Sequence, residues 1–471
     1  MIPKRPINRD VPPTEQTEGR PEKKEDKPEE AKASAEKPKS SAEKLPPAKP
    51  KPPTEKGSPA KPPREPKSQT PKLLAGLVAL ALVFIVVAIV FASGGGDKNE
   101  GGSEVTTSAP AAGSDSGEQS PSPQVAEALA FPAFATNNTT RIGGPDPTSN
   151  AAGVALAVFP STTAAQRPAA VTVVGEEDWA GAIAASVLMA PPVRAPLLFS
   201  SPDELPEDSE EALAALDPQG SKATGGASLF AVGPVALPDG AGKVTRVDSG
   251  DPAATAAQIA TLRERLSGAP PRHILVASGE KPEFAMAAAA WAARSGDPVL
   301  YAEAKKLPPA TAAVLKEHPK VPVFVLGPDS VIAKGVVKEI GKISKQVNRV
   351  AGKDAAETAI ALARYHQGSF GWNINDPGHG FVLARSDTPA SAAAAAPLSA
   401  SGTWGPLLLT EAPDRLPPAV RSYFLDVKPG YTTDPTRAFY NHVWVVGDQE
   451  SISVAQQSEV NELAELTRIR E

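Results

Sequence analysis

The stretch that decides the fold runs from 274 to 327 and holds three short apolar runs, ILVASG (274–279), PVLYA (298–302) and VFVLG (323–327). An alanine-rich segment separates the first two, and a Leu307-Pro308 pair opens a helical pattern before the third. Short apolar runs alternating with helical stretches of roughly 10–15 residues predict βαβ units and a mainly parallel sheet. Working outward, the same order occurs on either side. Upstream it reads VTVVG (171–175), PLLFS (196–200), Leu205-Pro206 and LFAVG (229–233). Downstream it reads FVLARS (381–386), PLLLT (406–410), Leu416-Pro417 and VWVVG (443–447).

A second mark opens each of the three units. Arg141, Arg246 and Arg349 each precede an aspartate by five residues: Asp146, Asp251 and Asp354. Four residues beyond the aspartate stands a small polar residue followed by alanine: Asn150-Ala151, Thr255-Ala256 and Thr358-Ala359. The starts are 105 and 103 residues apart, and a period of this size signals tandem structural units. Asp146 and Asp251 precede a proline, and Asp354 has Glu357 three residues on; all three read as helix N-caps. The arginines are read first as structural, pairing with those aspartates or with neighbouring repeats. The alternative is an outward threefold set of anion donors, which makes them candidate ligand contacts. Repeat three carries two additions, 366–380 and 427–441, which read as surface loops.

The Arg-x-x-Gly-x-Asp-x-x-x-Thr-Ala start, the LVASG-type strand with its Ala-rich helix, the Leu-Pro pair and the VLG strand together resemble the cell wall-binding repeat type 2 family. The likeness covers roughly 137–471, as repeats 137–245, 246–348 and 349–471. The resemblance is to a divergent member. Asn150 replaces threonine in repeat one, Gly250 comes one place late in repeat two, and a single glycine ends each third strand before Pro234, Pro328 or Asp448. The resemblance implies an α/β fold of three tandem Rossmann-like βαβ units packed with pseudo-threefold symmetry. It also implies non-covalent binding of a cell-wall polymer or secondary wall glycan.

The N-terminal part has another character. Residues 1–72 hold 17 prolines, with 18 Lys and Arg against 12 Asp and Glu; the remaining chain holds 30 against 42, a net −12. So polar a segment cannot bury enough surface to offset its chain entropy, and a disordered cytoplasmic tail is expected. Residues 73–92, LLAGLVALALVFIVVAIVFA, contain no charge. At 1.5 Å per residue such a helix spans roughly 30 Å, the thickness of a bilayer core. A signal peptide is the rival reading, against which stand the length of the run and of the segment before it. Arg64, Lys67 and Lys72 precede the span while Asp97, Glu100 and Glu104 follow it. The positive side stays inside, so a single-pass protein of the plasma membrane is expected, its ectodomain facing the wall of a bacterial envelope. Residues 93–136, rich in Gly, Ser and Pro, read as an extracellular linker.

Catalytic signals are sparse. The chain has no cysteine, and its five histidines show no paired ligand spacing, so no metal site is expected. No G-x-S-x-G elbow, Walker A loop or Gly-x-Gly-x-x-Gly is present, and no cofactor is expected. The acidic balance argues against nucleic acid. A non-catalytic binding protein is the reading preferred; a wall-acting glycoside hydrolase with an unrecognised carboxylate pair is the alternative.

Overall fold

The computed structural model describes residues 134–402 and 404–469. The expected tail 1–72, the expected span 73–92 and all but the end of the expected linker lie outside the described residues. Among the described residues no helix is long and apolar enough to cross a membrane. The last residues of the expected linker belong to the fold, because β1 (Phe134–Ala135) pairs antiparallel with β2 (Thr139–Ile142).

Helix α1 (Pro147–Val158) leads to β3 (Val171–Gly175), α2 (Trp179–Ala185), β4 (Leu197–Ser200), α3 (Glu207–Leu216), β5 (Leu229–Val232) and β6 (Val244–Val247). The next repeat supplies α4 (Pro252–Ser267), β7 (Ile274–Ser278), α5 (Met286–Ser295), β8 (Val299–Ala302), α6 (Pro309–Glu317), β9 (Val323–Leu326), α7 (Lys334–Ile343) and β10 (Val347–Val350). The last supplies α8 (Ala355–Arg364), β11 (Gly380–Arg385), α9 (Pro389–Ala400), β12 (Leu407–Thr410), α10 (Pro418–Asp426), β13 (Gly430–Tyr431), β14 (His442–Val446), α11 (Val454–Ala464) and β15 (Thr467–Arg468). In each Leu-Pro pair the proline sits at the N-cap of α3, α6 or α10, one place before the first helical residue.

Three parallel four-stranded sheets result, ordered β4-β3-β5-β6, β8-β7-β9-β10 and β12-β11-β14-β2, with β1 added to the outside of the third. Their inner strands are mainly apolar and buried, as expected where helices cover a parallel sheet, except that His442 and Trp444 of β14 are half-buried. The repeat starts do not coincide with the sheet boundaries. The strand bearing each recurring arginine completes the sheet of the preceding repeat: Arg246 lies opposite Ala231 and Arg349 opposite Val325. The first such strand, β2, closes the last sheet, with Arg141 opposite Val445.

Alanine explains the centre. Residues 286–293 of α5 and 390–399 of α9 are buried throughout, so neither helix has a polar face. A helix apolar all round belongs in a core, and small side chains let its neighbours approach closely. Helix α9 packs on α5, α1 and α2, and α5 packs on the 3₁₀ turn Ser186–Met189 that extends α2. Tyr301 of β8, fully buried, donates its hydroxyl to the Ala180 carbonyl at 2.6 Å, which ties the second repeat to the first.

Candidate functional site

Each recurring aspartate starts a helix. The Asp146 carboxylate accepts from the Ser149 N–H at 2.9 Å, Asp251 from Ala254 at 2.7 Å and Asp354 from Glu357 at 2.8 Å. These bonds satisfy N–H groups that a helix leaves without partners, and they place negative charge at its positive end. The polar residue four places on holds the turn before the cap. Thr358 Oγ1 accepts from the Gly352 N–H at 3.1 Å, and Asn150 Oδ1 accepts from Gly144 at 3.0 Å. Asparagine in repeat one therefore does what threonine does in repeat three.

The arginines do not pair with those aspartates. Arg141, 2% exposed, donates through Nη1 to the Gly447 carbonyl at 2.8 Å, through Nη2 to the Ile452 carbonyl at 2.5 Å and through Nε to Gln457 at 3.0 Å. Arg349 repeats the arrangement, reaching the carbonyls of Gly327 and Ile332 and lying 3.2 Å from the Asp329 carboxylate. In both cases the guanidinium clamps the glycine that ends the third strand and the isoleucine five residues later, under the helix that follows. Burial pushes the Arg141 guanidinium down to about 10, against the opposing charge of Asp448. Burial lowers Arg349 too, against Asp329.

Arg246 is exposed. No helix stands between β5 and β6, where residues 234–243 read PVALPDGAGK, so nothing covers this guanidinium as α7 and α11 cover the others. It lines an open cavity of 460 Å³ with Gln258, Arg265 and Glu317. The three arginines are therefore a buried clamp, Arg141, a half-buried clamp, Arg349, and one surface cation, Arg246.

Residues 366–380 differ from the surface loop that the sequence suggested. Phe370 and Ile374 are fully buried and Trp372 nearly so. The Phe370 ring stacks on Phe324 of β9 at 3.5 Å between centroids and meets Trp291 of α5 at 5.0 Å. Trp372 lies edge-on to Trp291 at 5.4 Å and stacks with Trp404 at 6.1 Å. The addition is an aromatic plug that joins repeat three to repeat two. Its glycines and asparagines gave the turn signal, and burial of the aromatics between them decided the outcome. The other addition, 427–441, does present Phe439 and Tyr440 to solvent.

A search of protein-family profiles matches residues 246–337 and 349–456 to Cell wall binding domain 2. These two segments are cell wall binding domain 2 modules. Two solved structures have similar folds: Cwp8 from Clostridium difficile, at TM-score 0.54 and 20% identity, and Cwp6 from the same organism, at 0.53 and 17%. Each likeness covers 70% of this chain and 52% or 48% of the other, so the chain spans about half the length of those proteins. At these identities the likeness shows the fold alone. A search of curated proteins gave no match.

The segment ahead of the two cell wall binding domain 2 matches builds a sheet of the same strand order, β4-β3-β5-β6. Among the described residues no group of three His, Asp or Glu is placed to hold a metal ion. Carboxylates of Asp146, Glu176, Glu177, Glu207 and Asp208 line a cavity of 510 Å³ beside the start of α1. The carboxyl of Asp178 is pushed up by burial, but it serves as the N-cap of α2, accepting from the Gly181 N–H at 2.7 Å.

Proposed function

We propose that this is a non-catalytic, membrane-tethered envelope protein whose modules 137–245, 246–348 and 349–471 hold a cell-wall polymer non-covalently. In this reading the three modules pack around a pseudo-threefold axis. The span 73–92 anchors them, the tail 1–72 faces the cytoplasm and 93–136 spaces the modules from the membrane. The observation that carries the proposal is the pair of cell wall binding domain 2 matches, which together with the like sheet ahead of them occupy nearly all of the described residues. The charge asymmetry beside the apolar run supports the orientation.

Co-sedimentation of the detergent-solubilised protein with purified cell walls tests the binding. Retention without release of soluble sugar is expected, and failure to sediment with any wall preparation would defeat the reading. Release of sugar fragments would promote the hydrolase instead. Protease treatment of intact cells tests the topology: the tail should survive while the modules are removed.

A further inference from the structure

The four most exposed large apolar side chains among the described residues all belong to the third module: Phe439 at 70%, Tyr440 and Ile469 at 55% and Leu425 at 46%. A single exposed apolar residue is ordinary, whereas several gathered in one place mark a contact surface. Phe439 and Tyr440 lie in the addition 427–441, which the other two repeats lack, and Leu425 borders it.

Backbone pairing gathers these residues. Strand β13 of the addition pairs with β15: the Thr467 N–H donates to the Pro429 carbonyl at 3.1 Å and the Ile469 N–H to the Tyr431 carbonyl at 2.8 Å. Ile469 lies against Gly430, where a Cβ would fall 2.6 Å from its Cδ1. Asn441 closes the base of the loop, Nδ2 donating to the Val427 carbonyl at 2.9 Å and Oδ1 accepting from the Gly378 N–H at 2.9 Å. The Phe439 side chain lies over Gly378, and Tyr440 donates its hydroxyl to the Pro435 carbonyl at 2.9 Å. The loop is braced from within, yet its two aromatics face solvent.

The same surface adjoins the point where the chain enters the fold. In the turn between β1 and β2, the Asn138 N–H donates to Asn461 Oδ1 at 3.0 Å and Thr136 Oγ1 donates to the same oxygen at 2.7 Å. Asn461 lies on α11, which leads into β15. The Asn138 carbonyl accepts from the Val443 N–H at 2.9 Å, just beyond the end of the addition. Residues 93–133 separate β1 from the apolar run 73–92. A Gly/Ser/Pro-rich spacer of that length reaches on average roughly 35 Å.

We propose that Phe439, Tyr440, Ile469 and Leu425 form a membrane-docking surface that dips into the interfacial layer of the bilayer to which the chain is tethered. The inference rests on the membrane-tethered reading and adds a second contact to it. Amphipathic rings such as that of tyrosine favour the headgroup level, where an apolar body and a polar tip are both accommodated. Charge supplies no drive. Lys428, Arg437 and Arg468 stand against Asp426, Asp434 and Glu465, with Asp376 and Glu462 beside them. Docking therefore depends on the apolar side chains and needs no anionic lipid.

The test uses the full chain reconstituted in phosphatidylcholine vesicles. The sequence has no cysteine, so Thr433→Cys in the addition and Lys316→Cys on the second module, both exposed, each give one site for an environment-sensitive fluorophore. Quenching by a lipid that carries a nitroxide high on its acyl chain should be several-fold stronger at 433 than at 316. It should fall to the level at 316 in F439S/Y440S, with circular dichroism unchanged, and persist in F439W/Y440W and at high salt. Equal quenching at the two sites, or quenching at 433 that F439S/Y440S leaves intact, would overturn the inference. Loss of the difference at high salt would replace it by a charge contact. A difference seen only when each vesicle holds many copies would give the surface to a second copy of the chain instead. Weaker wall sedimentation of F439S/Y440S with lipid quenching unchanged would assign it to the wall. Failure of the wild type to float with vesicles would remove the tethered reading, and the inference with it.

Discussion

Arg141 and Ile452 stand 311 residues apart, and Nη2 of the first donates to the carbonyl of the second at 2.5 Å. The bond belongs to a seam in which β2, near the start of the described residues, completes the sheet of β14. Gln457 Nε2 donates to Thr139 Oγ1 at 2.9 Å and Asn138 bonds Asn461 along the same seam. Every sheet is finished by the strand that opens another repeat, so removing one repeat at its sequence boundary bares an unpaired edge.

Arg141→Met should therefore destabilise the fold by about 2–4 kcal/mol, since it orphans buried carbonyls at Gly447 and Ile452, each costing about 1–3 kcal/mol. Arg246→Met should change stability by no more than about 0.5 kcal/mol, the usual range for an exposed position. Urea denaturation followed by circular dichroism checks both; equal midpoints for the two variants would contradict the clamp.

Asp251→Ala should cost about 0.5–2 kcal/mol by removing the cap on α4, and Asp251→Asn should recover most of it. The same denaturation assay decides. An unchanged midpoint for Asp251→Ala together with lost wall retention would move this residue from the helix start to a ligand site.

The repeat order was legible because each repeat holds three short, mainly apolar runs in the same order and its first helix opens on a capping aspartate, Asp146, Asp251 or Asp354. The exchange of strands between repeats was not, because a parallel edge carries no side-chain signature of its neighbour. The fate of the arginines depends on whether a helix follows the third strand. The Pro- and Gly-rich run at 234–243 held that signal for Arg246 without showing what it would uncover. In 366–380 the alternation of Phe370, Trp372 and Ile374 was present in the sequence, but turn residues between them masked it.

Phe370→Ala should cost about 3–5 kcal/mol, the range for emptying a buried aromatic site, and should change Trp291 fluorescence because the rings are 5.0 Å apart. Gly371→Ala should also destabilise: φ is +100°, and a Cβ would fall 2.1 Å from the Tyr365 carbonyl oxygen. Thermal melts check both, and tolerance of Phe370→Ala would return this segment to the surface.

His442 opens β14, half-buried, with its ring 5.5 Å from that of Trp444. Burial lowers its pKa below the ordinary 6.5, so the folded state favours the neutral ring. Between the lowered value and 6.5 the unfolded chain binds more protons than the native one, and stability falls as pH falls. His442→Phe should therefore lose less stability than wild type when pH drops from about 7.5 to about 5.5, within the range where histidine is the usual titrating side chain. Asp178 acts in the opposite sense. Burial raises its carboxyl, so protonation favours the folded state and Asp178→Asn removes a stabilisation gained on acidification. Denaturation midpoints for wild type and His442→Phe across this range, and for wild type and Asp178→Asn as pH falls on towards the ordinary carboxylate value of 3.8, separate the two. Parallel pH profiles for wild type and His442→Phe would show that this ring titrates alike in both states.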